Sequence, residues 1–389
     1  MAGSVLSRLT VFGMAPETTP GTYVAPTFFP PFDPGTLITH EDQPPLRDES
    51  VQNDDSVLHG LYQGMRSGGF DFTMNFYPIE SGNFFRSIIG ADTVTAAPAS
   101  TILTGSTATA GTNTVAGTVA LTPSSVILVN AGNATQEIRW VVDATHVNAN
   151  WTYTHAAGET VTYLTKHAFS QGAGTTQPKT YSGTVYDQVQ SFGYAYGRCA
   201  QLGVSIDTTG IVKLKPSFKS MFPAVQSVPT FTGPTAQPLL GWSWIDYQGS
   251  SIAPANIVTR SRALELTLSR EVDMDWGSDG IPDPTYIDAA ELAVVAKKTA
   301  RYENTGSSTD TDWTNFRDYV QTAPFTCFVG NPSASCALLI TMSKPGVTTF
   351  GRSWGKKFIE ATYDYDGIKN TTDAGQIAIT LFNTQTSAY

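Results

Sequence analysis

Apolar residues in this chain recur at every second position rather than at every third or fourth. In Phe70-Asp-Phe-Thr-Met-Asn-Phe76, the residues Phe70, Phe72, Met74 and Phe76 share one side, while Asp71, Thr73 and Asn75 take the other. A strand sends successive side chains to opposite faces, so this run predicts a half-buried strand. Leu202, Val204 and Ile206 repeat the pattern, Asp207-Thr-Thr-Gly210 turns the chain, and Val212, Leu214 and Phe218 carry it back as a hairpin. Leu264, Leu266 and Leu268 alternate with Glu265, Thr267 and Ser269, and the runs 359–365 and 377–381 do the same. The period predicts a mainly β protein, of α+β character only through a few helices.

Helical spacing is confined to short segments. Pro78 opens one that runs through Phe84, Phe85, Ile88 and Ile89 and stops at Gly90. Asp310-Thr-Asp312 caps a second, with Trp313, Phe316, Tyr319 and Val320 on one face and Pro324 beyond its end. The run 289–298 reads both ways: its alanines favour helix, while Leu292, Val294 and Ala296 alternate.

Composition divides the chain. From Thr93 to Val119 it is nearly all Thr, Ala, Gly, Ser and Val, and closely spaced strand patterns follow at 125–129, 137–142 and 152–164. These predict a small β module at 92–168, inserted into a core formed by 1–91 and 169–389. A Gly/Pro/Thr-rich stretch at 223–238 splits the remainder into two halves, each with strands and one helix, a pattern open to internal duplication.

The N-terminal part punctuates differently. The stretch GMAPETTPGTYVAPT at 13–27 has prolines at 16, 20 and 26 and glycines at 13 and 21, which argues against a helix or a central strand. It follows a strand-like run at 5–12. The stretch 30–60 reads as irregular and is longer than an ordinary connection. It holds the acidic residues Glu41, Asp42, Asp48, Glu49, Asp54 and Asp55. We therefore expect an N-terminal arm and long loop at about 13–66 that is solvated or held by a neighbour, while Lys213, Lys215 and Lys219 on one hairpin either pair with that acidic loop on another subunit or form a polar sheet face.

Charge and motifs narrow the function. Only 14% of the 389 residues are charged, well below the roughly 25% of ordinary soluble domains, a lean toward surfaces covered by partners. A net charge of −10 argues against a duplex-binding protein, which neutralises phosphates with Lys and Arg. Cys199, Cys327 and Cys336 form no CxxC pair, zinc spacing is absent, and the simplest expectation is free thiols in a reducing cytoplasm. No run is apolar enough to span a bilayer, so no membrane is expected. Gly351-Arg-Ser-Trp-Gly355 matches the nucleophile-elbow pattern, but a strand pattern follows it and no histidine comes after Ser353. Asp273–Asp283 crowds carboxylates among glycines without the EF-hand register, since Ser278 and Pro284 stand where Gly and Glu are needed, and a solvated acidic turn is the better reading. Asn133, Asn150 and Asn370 head chance glycosylation sequons. His146, His155 and His167 sit at no ligand spacing and read as surface or half-buried residues. We expect no enzyme, no catalytic residue, no metal and no cofactor.

Several segments in this order resemble one family. Pro16-Glu-Thr-Thr-Pro-Gly-Thr-Tyr-Val-Ala-Pro-Thr27 is similar to the opening of the major tail tube proteins of long-tailed, siphovirus-type bacteriophages. So is Gly69-Phe-Asp-Phe-Thr-Met-Asn-Phe-Tyr-Pro-Ile-Glu-Ser-Gly-Asn-Phe-Phe-Arg-Ser-Ile-Ile-Gly90, a strand followed by a helix. The stretch 199–215 resembles the family's central hairpin, and Ile127–Trp140 with Thr154–Gly158 resembles β inserts in some members. The likeness is patchy and weakest after residue 230.

The resemblance implies a β-sandwich or barrel-like core with flanking helices, and a strand at 289–298. It implies six copies in a ring and rings stacked into a hollow tube in the virion. Partners would be the chain itself, other tail proteins (tape measure, terminator and distal tail proteins) and viral DNA passing through without sequence-specific binding. Pro16, Glu17, Thr18, Gly21, Thr22, Tyr23 and Pro26, with the six acidic residues of the long loop, are then expected to serve assembly, and the insert to face outward. An acidic lumen would repel phosphates. The alternatives are another virion ring protein (neck, decoration or tail tip) and a carbohydrate-binding or adhesive protein, with Trp140, Trp151, Trp242 and Trp244 as a sugar platform.

Overall fold

The computed structural model describes residues 7–50, 56–103, 107–117, 120–171, 177–234, 236–248, 252–302, 311–321, 324–354 and 357–389. Strands hold 50% of it and helices 7%, so the fold is mainly β. The largest sheet has a continuous path of eight strands: Ile38–Asp42, Ser67–Asp71, Lys213–Ser220, Ser191–Asp207, Ser261–Asp275, Tyr286–Arg301, Glu360–Gly367 and Pro345–Ser353. Every neighbouring pair on it is antiparallel. Val11–Pro16 and Tyr181–Tyr186 form a branch against the start of 191–207. A second sheet runs in the order Trp244–Gln248, Phe325–Asn331, Cys336–Met342, Ala378–Asn383, Thr165–Gln171 and Gly90–Thr95.

One apolar cluster joins both sheets and a helix. Phe70, Leu202 and Leu266 come from the large sheet, Leu338, Ile340 and Leu381 from the second, and Phe84, Phe85 and Ile88 from helix α1 (Ser81–Ile88). Each such side chain withdrawn from water contributes about 1.5–3 kcal/mol, and the period of two is the signature of that burial. Gly82 lets the helix lie flat on the Tyr389 ring, since a Cβ there would stand 2.0 Å from it. Gly90, at φ +135°, turns the chain out of the helix as its position predicts.

The run 289–298 is strand, inside Tyr286–Arg301, because its backbone ladders with Ser261–Asp275 and, from Val295 on, with Glu360–Gly367 as well, ladders a helix would leave open. The second helix, α2 (Thr311–Arg317), ends earlier than its pattern suggests, and Tyr319 has left helical space at φ +50°. Its proposed cap Asp310 lies outside the described residues.

The described part of 30–60 is only partly irregular, and 51–55 lie outside the described residues. It contains Ile38–Asp42 and the short strand Leu46–Asp48, which pairs with Gly60–Tyr62. Ile38–Asp42 is exposed throughout, so no burial periodicity marks it. Residues 13–16 are likewise strand, at the end of the branch and not in a sheet centre. That position tolerates Pro16.

The module's own strands, Thr101–Ile102, Val126–Val129, Glu137–Trp140 and Thr160–Tyr163, form a four-stranded sheet over Ile127, Val129, Trp151 and Val161. Chain leaves and re-enters through Gly90–Thr95 and Thr165–Gln171, which pair with each other. Trp140 packs edge-on against Phe382, and Asn148 exchanges hydrogen bonds with Tyr247, seating the module on the second sheet.

The histidines depart from expectation. Of His146, His155 and His167, the last two are fully buried and His146 is exposed. His155 lies 2.7 Å from Glu159 and 3.4 Å from Glu137, while His167 lies 3.1 Å from Asp92. Burial pulls the His155 pKa down, but the nearby carboxylates of Glu137 and Glu159, the latter accepting from Nδ1, outweigh it, and the net direction is up from 6.5. Arg139, in contact with Glu137, completes this buried charged set.

Candidate assembly surface

The eight-strand path is open at both ends. Among the described residues, Ile38–Asp42 pairs only with Ser67–Asp71, and Pro345–Ser353 only with Glu360–Gly367. An open edge presents unpaired N–H and C=O groups in a row, which invites another strand. The two edges are unlike in charge. One carries Glu41 and Asp42; the other carries Arg352, with Lys344 just before it. Eight strands is an even number, so the edges run in opposite directions and would meet antiparallel.

Beside the acidic edge lies an apolar groove of about 540 Å³, lined by Phe12, Pro31, Phe32, Pro34, Leu37 and Phe231 among others. A second apolar surface forms where the hairpin 46–62 meets the turn between 275 and 286. Leu46, Leu61, Tyr62, Met65 and Ile281 are exposed there. Arg66 fixes the two pieces together through paired hydrogen bonds to Asp283 at 2.8 and 2.7 Å. That pairing raises the Arg66 pKa, the hydrogen bond being the main cause.

The residues expected to serve assembly are distributed differently from the sequence reading. Glu17 is fully buried, accepting hydrogen bonds from Gly21 N (3.0 Å), Ser182 Oγ (2.8 Å) and Tyr196 N (2.7 Å) of its own chain. The Tyr23 hydroxyl meets Thr184 at 2.8 Å, and Val24 N donates to Ser182. The segment 16–26 is thus folded onto its own body, which removes Glu17 as a group presented to a neighbour. Pro16, Gly21 and Pro26 are half-buried along it, and Thr18 and Thr22 are exposed. Glu41 and Asp42 lie on the open edge, Glu41 accepting from the Tyr194 hydroxyl at 3.0 Å. Asp48 and Glu49 sit on the hairpin, and Asp54 and Asp55 lie outside the described residues. Lys213 pairs with Asp33 at 2.5 Å and Lys219 donates to Val272 O, so both have partners within the chain.

Sequence reasoning missed Pro345–Ser353 as an edge. Gly351 to Ser353 of its GxSxG sequence lie on this antiparallel strand, with Ser353 exposed at its end; Gly355 lies outside the described residues, and the next described element is the strand Glu360–Gly367, where a nucleophile elbow needs a helix. The Asp273–Asp283 segment closes the long hairpin of 261–275 and 286–301. Asp283 is committed to Arg66, and Asp279 accepts from Ile281 N and Thr285 Oγ1. Among the described residues no group of three or more His, Cys, Asp or Glu could hold a metal ion. Trp140 and Trp151 are buried while Trp242 is 70% exposed, so the four tryptophans do not form one platform. All three cysteines are free and buried. No described helix is long and apolar enough to cross a membrane.

No family model matches the chain, and no curated protein matches it.

Proposed function

We propose that this chain is the structural subunit of a hollow tube of the siphovirus tail type, assembled from stacked rings of identical copies, with DNA passing through the lumen and no catalytic role. One observation carries the reading: a continuous sheet with two unlike, oppositely running, unpaired edges. A contact between unlike edges is head-to-tail, and it generates a ring when its rotation closes. Closure also removes the edges altogether. The apolar surface of the hairpin 46–62 and the 276–285 turn supplies a second contact, between unlike ring faces, which lets rings stack without limit.

The sheet's solvent face would then line the lumen. A row across it runs Lys213, Ser205, Glu265, Lys297 and Asp364, each opposite the next. Signs alternate along that row. Cross-strand pairs of opposite sign neutralise one another, leaving no dense cationic surface for phosphates to hold.

The test is negative-stain electron microscopy over a concentration series. Hollow rods that lengthen with concentration are expected. Rings of fixed size would favour a neck or tail-tip component, and a monomer at every concentration would refute the proposal.

A further inference from the structure

The two halves of the chain repeat one topology. In the first half the large-sheet strands come in the order Ile38–Asp42, Ser67–Asp71, Ser191–Asp207, Lys213–Ser220, and they lie in space as first, second, fourth, third. In the second half the order is Ser261–Asp275, Tyr286–Arg301, Pro345–Ser353, Glu360–Gly367, and the spatial order is again first, second, fourth, third. In each half a short helix and an antiparallel hairpin of the second sheet fall between the second and third strands. These are α1 with 90–95 and 165–171, then α2 with 325–331 and 336–342. The second hairpin closes through Pro332–Ala334, whereas the first carries the module 101–163 at the equivalent point. Outside the repeated set stand, among others, Val11–Pro16, Tyr181–Tyr186, Trp244–Gln248 and Ala378–Asn383.

The halves meet where Ser191–Asp207, a third strand, pairs antiparallel with Ser261–Asp275, a first strand, over Gln201–Asp207 and Ala263–Ser269. The two free edges are the remaining first strand, Ile38–Asp42, and the remaining third strand, Pro345–Ser353. We infer that the chain is a tandem pair of one folding unit, and that copies join through this same third-to-first-strand junction, so each ring contains two units per chain. This rests on the tube reading above and adds its partner surface. The six units that the family resemblance leads one to expect then need three copies instead of six.

The junction also assigns an occupant to the apolar groove. Antiparallel joining sets the end of Pro345–Ser353 beside the start of Ile38–Asp42, where Pro34 and Leu37 line the groove. Trp354 follows that strand directly and is 69% exposed in the single chain. It enters the groove of the next copy, as an aromatic anchor enters a pocket.

Image reconstruction of rods of the full chain provides the test. Threefold symmetry with two similar units per chain is expected, the contact running between 38–42 and 345–353. Sixfold symmetry, or a ring contact elsewhere, overturns the inference while leaving the tube intact. Absence of rods overturns the tube and the inference with it. Trp354→Ala should raise the concentration needed for assembly by about tenfold or more, as loss of a central anchor does, with the circular dichroism of the unassembled chain unchanged. An unchanged assembly threshold removes Trp354 from the groove.

Discussion

Lys298→Met tests whether the two sheets are held by charge as well as by apolar packing. Lys298 belongs to the large sheet and Asp246 to the second, and their charged atoms are in contact. Lys298 is 9% exposed and Asp246 3%. Ser261 Oγ also donates to Asp246 Oδ2, at 2.5 Å, while Asp246 Oδ1 is buried without a hydrogen-bond partner among the described residues. Removing the ammonium leaves a carboxylate in a dry site with one hydroxyl for company. Breaking a buried pair from one side costs about 3–5 kcal/mol. For 389 residues unfolding as one unit, an unfolding entropy of about 2.1 cal/mol/K per residue converts about 4 kcal/mol into about 5 °C of Tm. Urea and calorimetric unfolding of the unassembled chain measure both. Lys298→Met combined with Asp246→Leu should recover most of the loss, since an apolar pair of similar size removes the stranded charge. A single variant within 1 kcal/mol of wild type, or a double variant no better than the single, would refute the argument.

Three further outcomes follow from buried groups. Because the folded His155 pKa lies above 6.5, its stabilisation is complete below pH 6.5 and is lost as pH rises through the folded value. The urea midpoint of wild type should exceed that of His155→Gln most at pH 6 and least at pH 9, and a gap widening with pH contradicts this. Glu17→Ala strands three donors and should cost about 3 kcal/mol in urea unfolding; a loss under 1 kcal/mol would show that the arm is not anchored there. Burial pushes the Cys199 thiol up to about 12 and raises Cys327 and Cys336 as well. Iodoacetamide at pH 8 should leave all three unlabelled until denaturant is added, and rapid native labelling of any one would place it at the surface.

The sequence by itself determined the strands whose two faces meet different solvents. Phe70 to Phe76, Leu202 to Ile206 and Leu264 to Leu268 alternate because one face enters the core, and all three lie in strands or beside them. The helix stop at Gly90 is local chemistry and is legible for the same reason. Strands with both faces in water, such as Ile38–Asp42, leave no periodic trace, because only backbone pairing places them. The buried Glu17 was invisible too, since its partners stand 165 and 179 residues away. Only the tertiary structure decided which strands are neighbours, and with that the unpaired edges, the repeated order of the two halves and the shared core. Pairing is a property of distant segments brought together, whereas alternation is written residue by residue along the chain.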